Sequence, residues 1–491
     1  MSGATAYEAA SSGPPEIWQE ILVLRPTRIF IALALGISAT AIATSAPAAV
    51  SVSRQAFINW PAYLKGHAHS SHNAAATAIS PTTVAGMTRA WTWKPASPTM
   101  PGQPWGLLAS PTVFNGRIYI GADTGEFYAL DEATGHVIWH RFIGFVPTLT
   151  CGRLGIVATA TVAKDPVTNV LTVYVAGGNG YLYALNAATG KVTWRSVIAI
   201  PSTTVSDYYD WSSPTVARKR IYVGVSSNCD SPLVAGGLKE YNQATGSLLA
   251  FYRTYPGHST APSIWSSAAI NAASGTVFVT TGNGPGGDSI SVVRLDANGL
   301  AREDAWQVPA SQHGSDSDFG GSPTLFHAVL GGVSTDMVGA CNKNGTYYAW
   351  QQGNLHAGPI WQRAVGAPYT SGPQCDAAAV WDGKHLFVAA NQTTINGQTF
   401  AGSIRMVDPG TGAYLWERGL TGPPIGTPTL DGAGVVAVTE YRKSGELALI
   451  NAATGSVLRT IATGPDFGQP VFADNMMLVP TQNHGLWAYK A

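Results

Sequence analysis

From Tyr181 onward, Tyr181, Tyr183 and Leu185 alternate with smaller residues, the period-2 pattern of a half-buried strand. Asn186 to Gly190 then supply turn residues, and Val192 and Trp194 restart the alternation, so 180–195 reads as a β-hairpin. The pattern recurs at Phe127–Trp139, Ile404–Trp416 and Leu447–Leu458, and more loosely at Leu238–Ala250. Ahead of each copy lies a Ser-Pro-Thr-Val-like segment, a short turn and an Ile-Tyr-Val-Gly-like segment. Ser110 with Ile118–Gly121 and Ser213 with Ile221–Gly224 show it best. Four strands per unit, repeating at roughly fifty residues, predict propeller blades rather than one sandwich.

Counting blade starts at Ser110, Ala160, Ser213, Ser267, Ser322, Ala377, Thr427 and Gln469 gives eight. The lone strand 89–94 has no partner before it, and the last unit, 469–489, supplies three strands and lacks a fourth. Pairing the two removes the exposed edges. The expected fold is therefore all-β: an eight-bladed β-propeller of four-stranded antiparallel blades over 89–491, closed by its two ends. Trp139, Trp194, Trp306, Trp361 and Trp416 occupy one point of their repeats, where a large flat side chain fills the wedge between blades.

Composition adds exclusions. Charged residues make up 11% of the 491-residue chain, with Lys+Arg and Asp+Glu equal at 28, so nothing points to nucleic acid. Residues 1–52 carry Arg25 and Arg28, an apolar run over 29–42, and Ala46-Pro-Ala48: the order of a secretory signal, or of an uncleaved membrane anchor. Either route exports the chain, and the membrane enters only through that segment. Residues 53–88 read as an irregular lead-in. His67, His69 and His72 cluster within it and the His-x-His is a possible metal pair, but no carboxylate or cysteine joins them, which favours a polar loop packed on the propeller rim. The four cysteines form no Cys-x-x-Cys-His haem motif. Cys341 and Cys375 fall at the same end of neighbouring blades and are paired on that ground, free buried thiols being the alternative.

Chemistry-bearing residues gather where inner strands begin and where middle strands are joined. Blade three opens with Asp207-Tyr-Tyr-Asp-Trp211, which is expected to shape the mouth. Blade four opens with Ser263-Ile-Trp265 and carries Thr281-Gly-Asn283; blade five opens with His313 to Gly320 and carries Asn342-Lys-Asn-Gly345. An aromatic platform, close carboxylates, an amide and a lysine suit a planar polyanion bound with a hard cation.

The Tyr-Ala-Leu-Asp/Asn-x-x-Thr-Gly-x-x-x-Trp repeat resembles the pyrroloquinoline-quinone (PQQ) repeat family across 89–491. That family holds quinoprotein alcohol dehydrogenases and also non-enzymatic scaffolds, so the repeat implies the fold and leaves function open. In the dehydrogenases a Trp beneath the quinone precedes a Thr-Gly-Asn calcium ligand by eighteen residues, the separation of Trp265 and Asn283. Ser263 lies where a Thr contacts the cofactor. Asp316-Ser-Asp318-Phe resembles the segment whose second Asp is the catalytic base and a calcium ligand, which implies Asp318 for that role. Lys343 matches the cation that touches the quinone, and Gln374 falls near a further contact position. The Asp-x-Asp-Phe-Gly and Lys-x-Gly segments look nearest to the polyvinyl-alcohol dehydrogenase branch.

The resemblance implies an exported dehydrogenase using PQQ and Ca2+ without haem. It would oxidise a small-molecule or polymeric alcohol and pass electrons to a separate acceptor. There are departures. No Glu completes the calcium site, and Asp230 or Ser231 falls there, so Asp230 is the expected ligand. A vicinal cysteine pair is missing, and Ser317 replaces a Trp beside the base. The alternative is a cofactor-free propeller that binds protein or polysaccharide.

Overall fold

A computed structural model describes residues 56–97, 106–146, 152, 154–314, 316–367 and 375–491. The expected leader over 1–52, Gln374 and Cys151 lie outside the described residues. Eight antiparallel sheets follow one another along the chain, each with its first strand innermost. Blade four comprises Ala269–Asn271, Thr276–Thr280, Ser291–Asp296 and Arg302–Gln307. Blade five comprises Thr324–Leu330, Val333–Asn342, Thr346–Gln351 and Trp361–Ala364, and blade six opens with Val380–Trp381. Blade eight is built from Val471–Ala473, Met476–Thr481 and Gly485–Lys490, with Thr88–Trp93 added as its outermost strand. Arg89 pairs with Tyr489 and Trp93 with Leu486, so the two ends of the propeller close the ring as the strand count required.

One apolar core fills each wedge between neighbouring sheets. Tyr119, Phe127 and Ile143 of blade one, for instance, pack on Val162, Val173 and Leu185 of blade two. The repeated Trp seals the outer part of the wedge. Trp139 Nε1 donates to the Ala187 carbonyl at 3.1 Å, Trp361 to Pro409 at 2.8 Å and Trp416 to Ala452 at 2.9 Å, each on the turn of the next blade. That turn needs glycine: Gly190 has φ +67°, and a Cβ there would stand 2.5 Å from the Trp139 ring.

Around the axis, the starts of the inner strands are linked by a belt of hydroxyls. The Ser110 amide donates to Thr159 Oγ1, that of Thr159 to Ser213, of Ser213 to Ser267 and of Ser267 to Ser322, at 2.9–3.1 Å. Blade six has Ala378 at this position, and its amide donates to Thr427 Oγ1 at 3.0 Å. The register thus starts blades two and six at Thr159 and Ala378, one residue from Ala160 and Ala377.

The lead-in lies on the axis instead of the rim. Between Ile58 and Asn73 it bonds to the free inner edges of seven blades. Trp60 exchanges both backbone bonds with Val113 at 2.8 Å, and the amides of Val162, Ile270, Leu325, Trp381 and Leu430 donate to the carbonyls of Pro61, His67, Ala68, Ser70 and Ser71. At blade eight, the Asp474 amide donates to the Ile58 carbonyl and Asn73 Nδ2 to that of Phe472. His67 and His69 serve the same end, each setting Nδ1 2.8 Å from an inner-strand carbonyl, of Ile270 and Pro323. The segment answers polar edges that would otherwise stand unpaired in the channel.

Candidate functional site

Above this plug the axial channel opens into a cavity of about 530 Å³. Its polar wall is built by blades four to six. Backbone bonds fix the pieces: the Gly282 amide donates to the Ser263 carbonyl at 2.8 Å, and the Lys343 amide to the Asp318 carbonyl at 3.0 Å. The first ties Trp265's segment to Asn283's, and the second ties the start of blade five to its own middle-strand loop.

The side chains form one connected cluster. Trp265 Nε1 donates to Asp318 Oδ2 at 3.0 Å, while Lys343 Nζ stands 2.6 Å from Asp318 Oδ1 and 3.1 Å from Asp316 Oδ2. Lys343 Nζ lies 5.0 Å from the centre of the Trp265 ring. Asn283 Nδ2 donates to Asp316 Oδ1 at 2.6 Å. Ser263 and Asp230 meet on the blade-three side through Ser227, whose Oγ lies 3.1 Å from Ser263 Oγ and donates to Asp230 Oδ1. Trp265, Asp316, Asp318, Lys343, Ser263 and Asp230 all line the cavity. Asn283 stands behind Asp316. Of the blade-three residues expected at the mouth, Trp211 lines the cavity, whereas Asp210 is buried behind it and has no hydrogen-bond partner among the described residues.

Asp376, which sequence reasoning missed, is the third carboxyl of this wall. It follows Cys375, whose disulfide to Cys341 ties the start of blade six to the strand that ends at Asn342, one residue before Lys343. Cys229 is disulfide-bonded as well. Gly320 lets the wall close: a Cβ there would stand 2.0 Å from Asp376 Oδ1 and 2.8 Å from Trp265 Cη2.

Electrostatics follow from three carboxyls sharing one ammonium. Burial lifts Asp318 to about 7, Lys343 pulling it down and Asp316 pushing it up. Burial likewise lifts Asp376 to about 6, again opposed by Lys343. For Asp316 burial is outweighed by Lys343 and the Asn283 amide, and it sits below the usual carboxylate range. Lys343 is held above its ordinary value although burial opposes this, because Asp318, Asp376 and Asp316 all favour its charge. A poised carboxyl beside a fixed cation and an indole is the equipment of proton abstraction next to an anionic planar ligand.

The donor set fits the two groups that the resemblance implies. The cavity volume, the Trp265 indole and the Lys343 ammonium match a planar acid. Asp318 and Asp316 on the cavity wall are oxygen donors of the type calcium takes, and the surplus of carboxyls over ammonium matches its charge. Among the described residues, no three His, Cys, Asp or Glu side chains are grouped to hold a metal ion by themselves.

Comparison with known proteins gives two kinds of relative. The family described as glucose/ethanol/alcohol dehydrogenase, β-propeller domain, matches residues 60–354, and that described as outer membrane protein assembly factor BamB matches residues 401–491. A quinohemoprotein alcohol dehydrogenase, ADH IIB of Pseudomonas putida, is 24% identical over 300 residues, 51% of this chain and 40% of its own length. BamB of Shewanella oneidensis is 27% identical over 383 residues, 75% of this chain and 81% of its own length. The crystal structure of quinohemoprotein alcohol dehydrogenase from Comamonas testosteroni superposes with a TM-score of 0.69 at 17% identity, covering 88% of this chain and 80% of that one. The fold is common to both kinds of relative.

Proposed function

The chain belongs to the glucose/ethanol/alcohol dehydrogenase β-propeller family, and we propose that it is an exported quinone-dependent dehydrogenase oxidising an alcohol to a carbonyl compound. The observation that carries this reading is the contact of Trp265, Asp318 and Lys343 around one cavity. When bound, PQQ with calcium would accept the two electrons of the alcohol as a hydride equivalent and polarise the reacting carbonyl.

The chain's own residues would do the rest. Trp265 offers a ring face to a planar ligand, and its Nε1 fixes Asp318 Oδ2. Lys343 would meet the acidic edge of that ligand and Asp318 would hold the cation, with Asp230 on the opposite wall, while Asn283 steadies Asp316 from behind. Asp318 takes the hydroxyl proton as the substrate C–H bond breaks. The substrate is a small or polymeric alcohol, and the reducing equivalents pass to a separate acceptor. No helix among the described residues is long and apolar enough to cross a membrane.

The test is to incubate purified protein with PQQ and calcium, desalt it, and record quinone absorbance and dye-linked alcohol oxidation. Retained quinone, weakened in Trp265→Ala, with turnover lost in Asp318→Ala, supports the reading. A wild type that retains none refutes it. The match to BamB over residues 401–491 favours a second reading, a non-catalytic scaffold binding protein or polysaccharide. Failure to retain quinone, with capture of a polypeptide or glycan ligand, would establish that one.

A further inference from the structure

The floor of the axial cavity belongs to neither the repeat nor the cluster described above. It is Tyr63, from the lead-in, and this residue lines two cavities. One is the axial cavity of about 530 Å³. The other, about 150 Å³, lies beneath it between the plug and the inner strands of blades two and three, where Ala62, His67, Val162 and Val216 enclose it. Tyr63 borders both.

Its placement is costly and specific. Tyr63 sits on a short 3-10 turn, Tyr63–Lys65, in which Leu64 and Lys65 have φ of 52° and 76°. Non-glycine residues there carry strain, which persists only where the surroundings enforce it. They do: Leu64 is fully buried, and Lys65 Nζ donates to the Asn59 carbonyl at 2.6 Å. The Tyr63 ring packs edge-on to buried His69, with centroids 6.0 Å apart. Its hydroxyl faces the side chains of Ser322 and Thr427, the belt residues of blades five and seven. Blade six between them offers Ala378, so the tyrosine supplies the hydroxyl that this blade lacks.

The upper wall facing away from the carboxyl cluster is largely apolar, with Leu108, Val157, Trp211, Ile425 and Phe467 lining it. A hydrocarbon chain can therefore run down this side, from the mouth toward Tyr63, with its polar end near the cluster. We propose that Tyr63 is a specificity-determining residue that sets the depth of the axial site, and so the length of the aliphatic alcohol it admits. The inference rests on the axial cavity being the alcohol site of the proposed dehydrogenase, and its test needs no cofactor.

The full chain, without quinone, is titrated with straight-chain alcohols from ethanol to decanol, and binding is followed by Trp fluorescence. Each buried methylene tightens binding about fourfold until the chain end meets the floor, after which the gain stops. In Tyr63→Ala the floor recedes by the space the ring filled, and the gain continues to longer alcohols. Tyr63→Phe keeps the ring and stops at the wild-type length. Tyr63→Leu, a smaller loss of bulk, shifts the limit part of the way and serves if the alanine variant fails to fold. The same limiting length in wild type, Tyr63→Leu and Tyr63→Ala overturns the proposal, as does a wild type with no dependence on chain length. A shifted limit in a protein that retains no quinone would uphold Tyr63 as the floor while refuting the dehydrogenase.

Discussion

Replacing Lys343 by Met keeps most of the side-chain volume and removes the one ammonium shared by Asp316, Asp318 and Asp376. Lys343 Nζ stands 2.6 Å from the nearly buried Asp318 and 3.1 Å from half-buried Asp316. Breaking a buried pair from one side costs about 3–5 kcal/mol, and the partial exposure of Asp316 places this case near the lower end. The penalty depends on pH. Asp318 and Asp376 already sit near 7 and 6 in the wild type, above the ordinary carboxylate value near 4, so they favour the folded state below pH 4 and lose that favour as pH rises. Without the ammonium both rise further. At pH 5 they are neutral in the folded variant and the penalty is small, about 1 kcal/mol. At pH 8 the folded variant must keep buried charge or hold protons that the unfolded chain lacks, and each further unit of rise adds about 1.4 kcal/mol. Guanidinium unfolding at the two pH values should give a penalty of about 1 kcal/mol at pH 5 and about 3 kcal/mol at pH 8. An equal penalty at both would refute the shared-cation account of this wall.

Asp318→Asn should retain quinone while lowering kcat by about 10²–10⁴, measured in the dye-linked assay. Full turnover in that variant would exclude Asp318 as the base. Gly320→Ala places a Cβ 2.0 Å from Asp376 Oδ1 and 2.8 Å from Trp265, so retained quinone absorbance should fall, with about 1–3 kcal/mol lost in unfolding experiments. Gly190→Ala, far from the cavity, should lower stability by at least about 1 kcal/mol through its positive φ and its contact with Trp139, while leaving quinone retention unchanged.

What could be read before folding was everything that repeats or stands at a fixed interval. The alternation around Tyr181–Leu185, the Thr-Gly turn and the recurring Trp made blades legible, because each blade is a local hairpin pair whose geometry its own residues dictate. Trp265, Asn283, Asp318 and Lys343 were legible as a group because they occupy matching places in consecutive blades, and the ring turns matching places into neighbours. Asp376 was missed although it directly follows Cys375 at the start of blade six; that disulfide partner was the one available signal. Asp207 and Asp210 looked suited to the mouth, yet the chain leaving Tyr208–Tyr209 buries Asp210 and leaves Trp211 on the cavity.

The lead-in marks the boundary between the two kinds of information. Its three histidines and polar residues carry no period, so they fixed neither a place nor a role, and the segment lies on the axis where the rim was expected. Its position is decided by the inner edges of seven blades, whose backbone groups come together only once the ring has closed. Tyr63 as the floor, the gap at Ala378 that it spans, and the sharing of Lys343 among three carboxyls are all products of that closure. Local sequence determines a strand and its turn, whereas the contents of an axial channel depend on residues hundreds of positions apart meeting at one point.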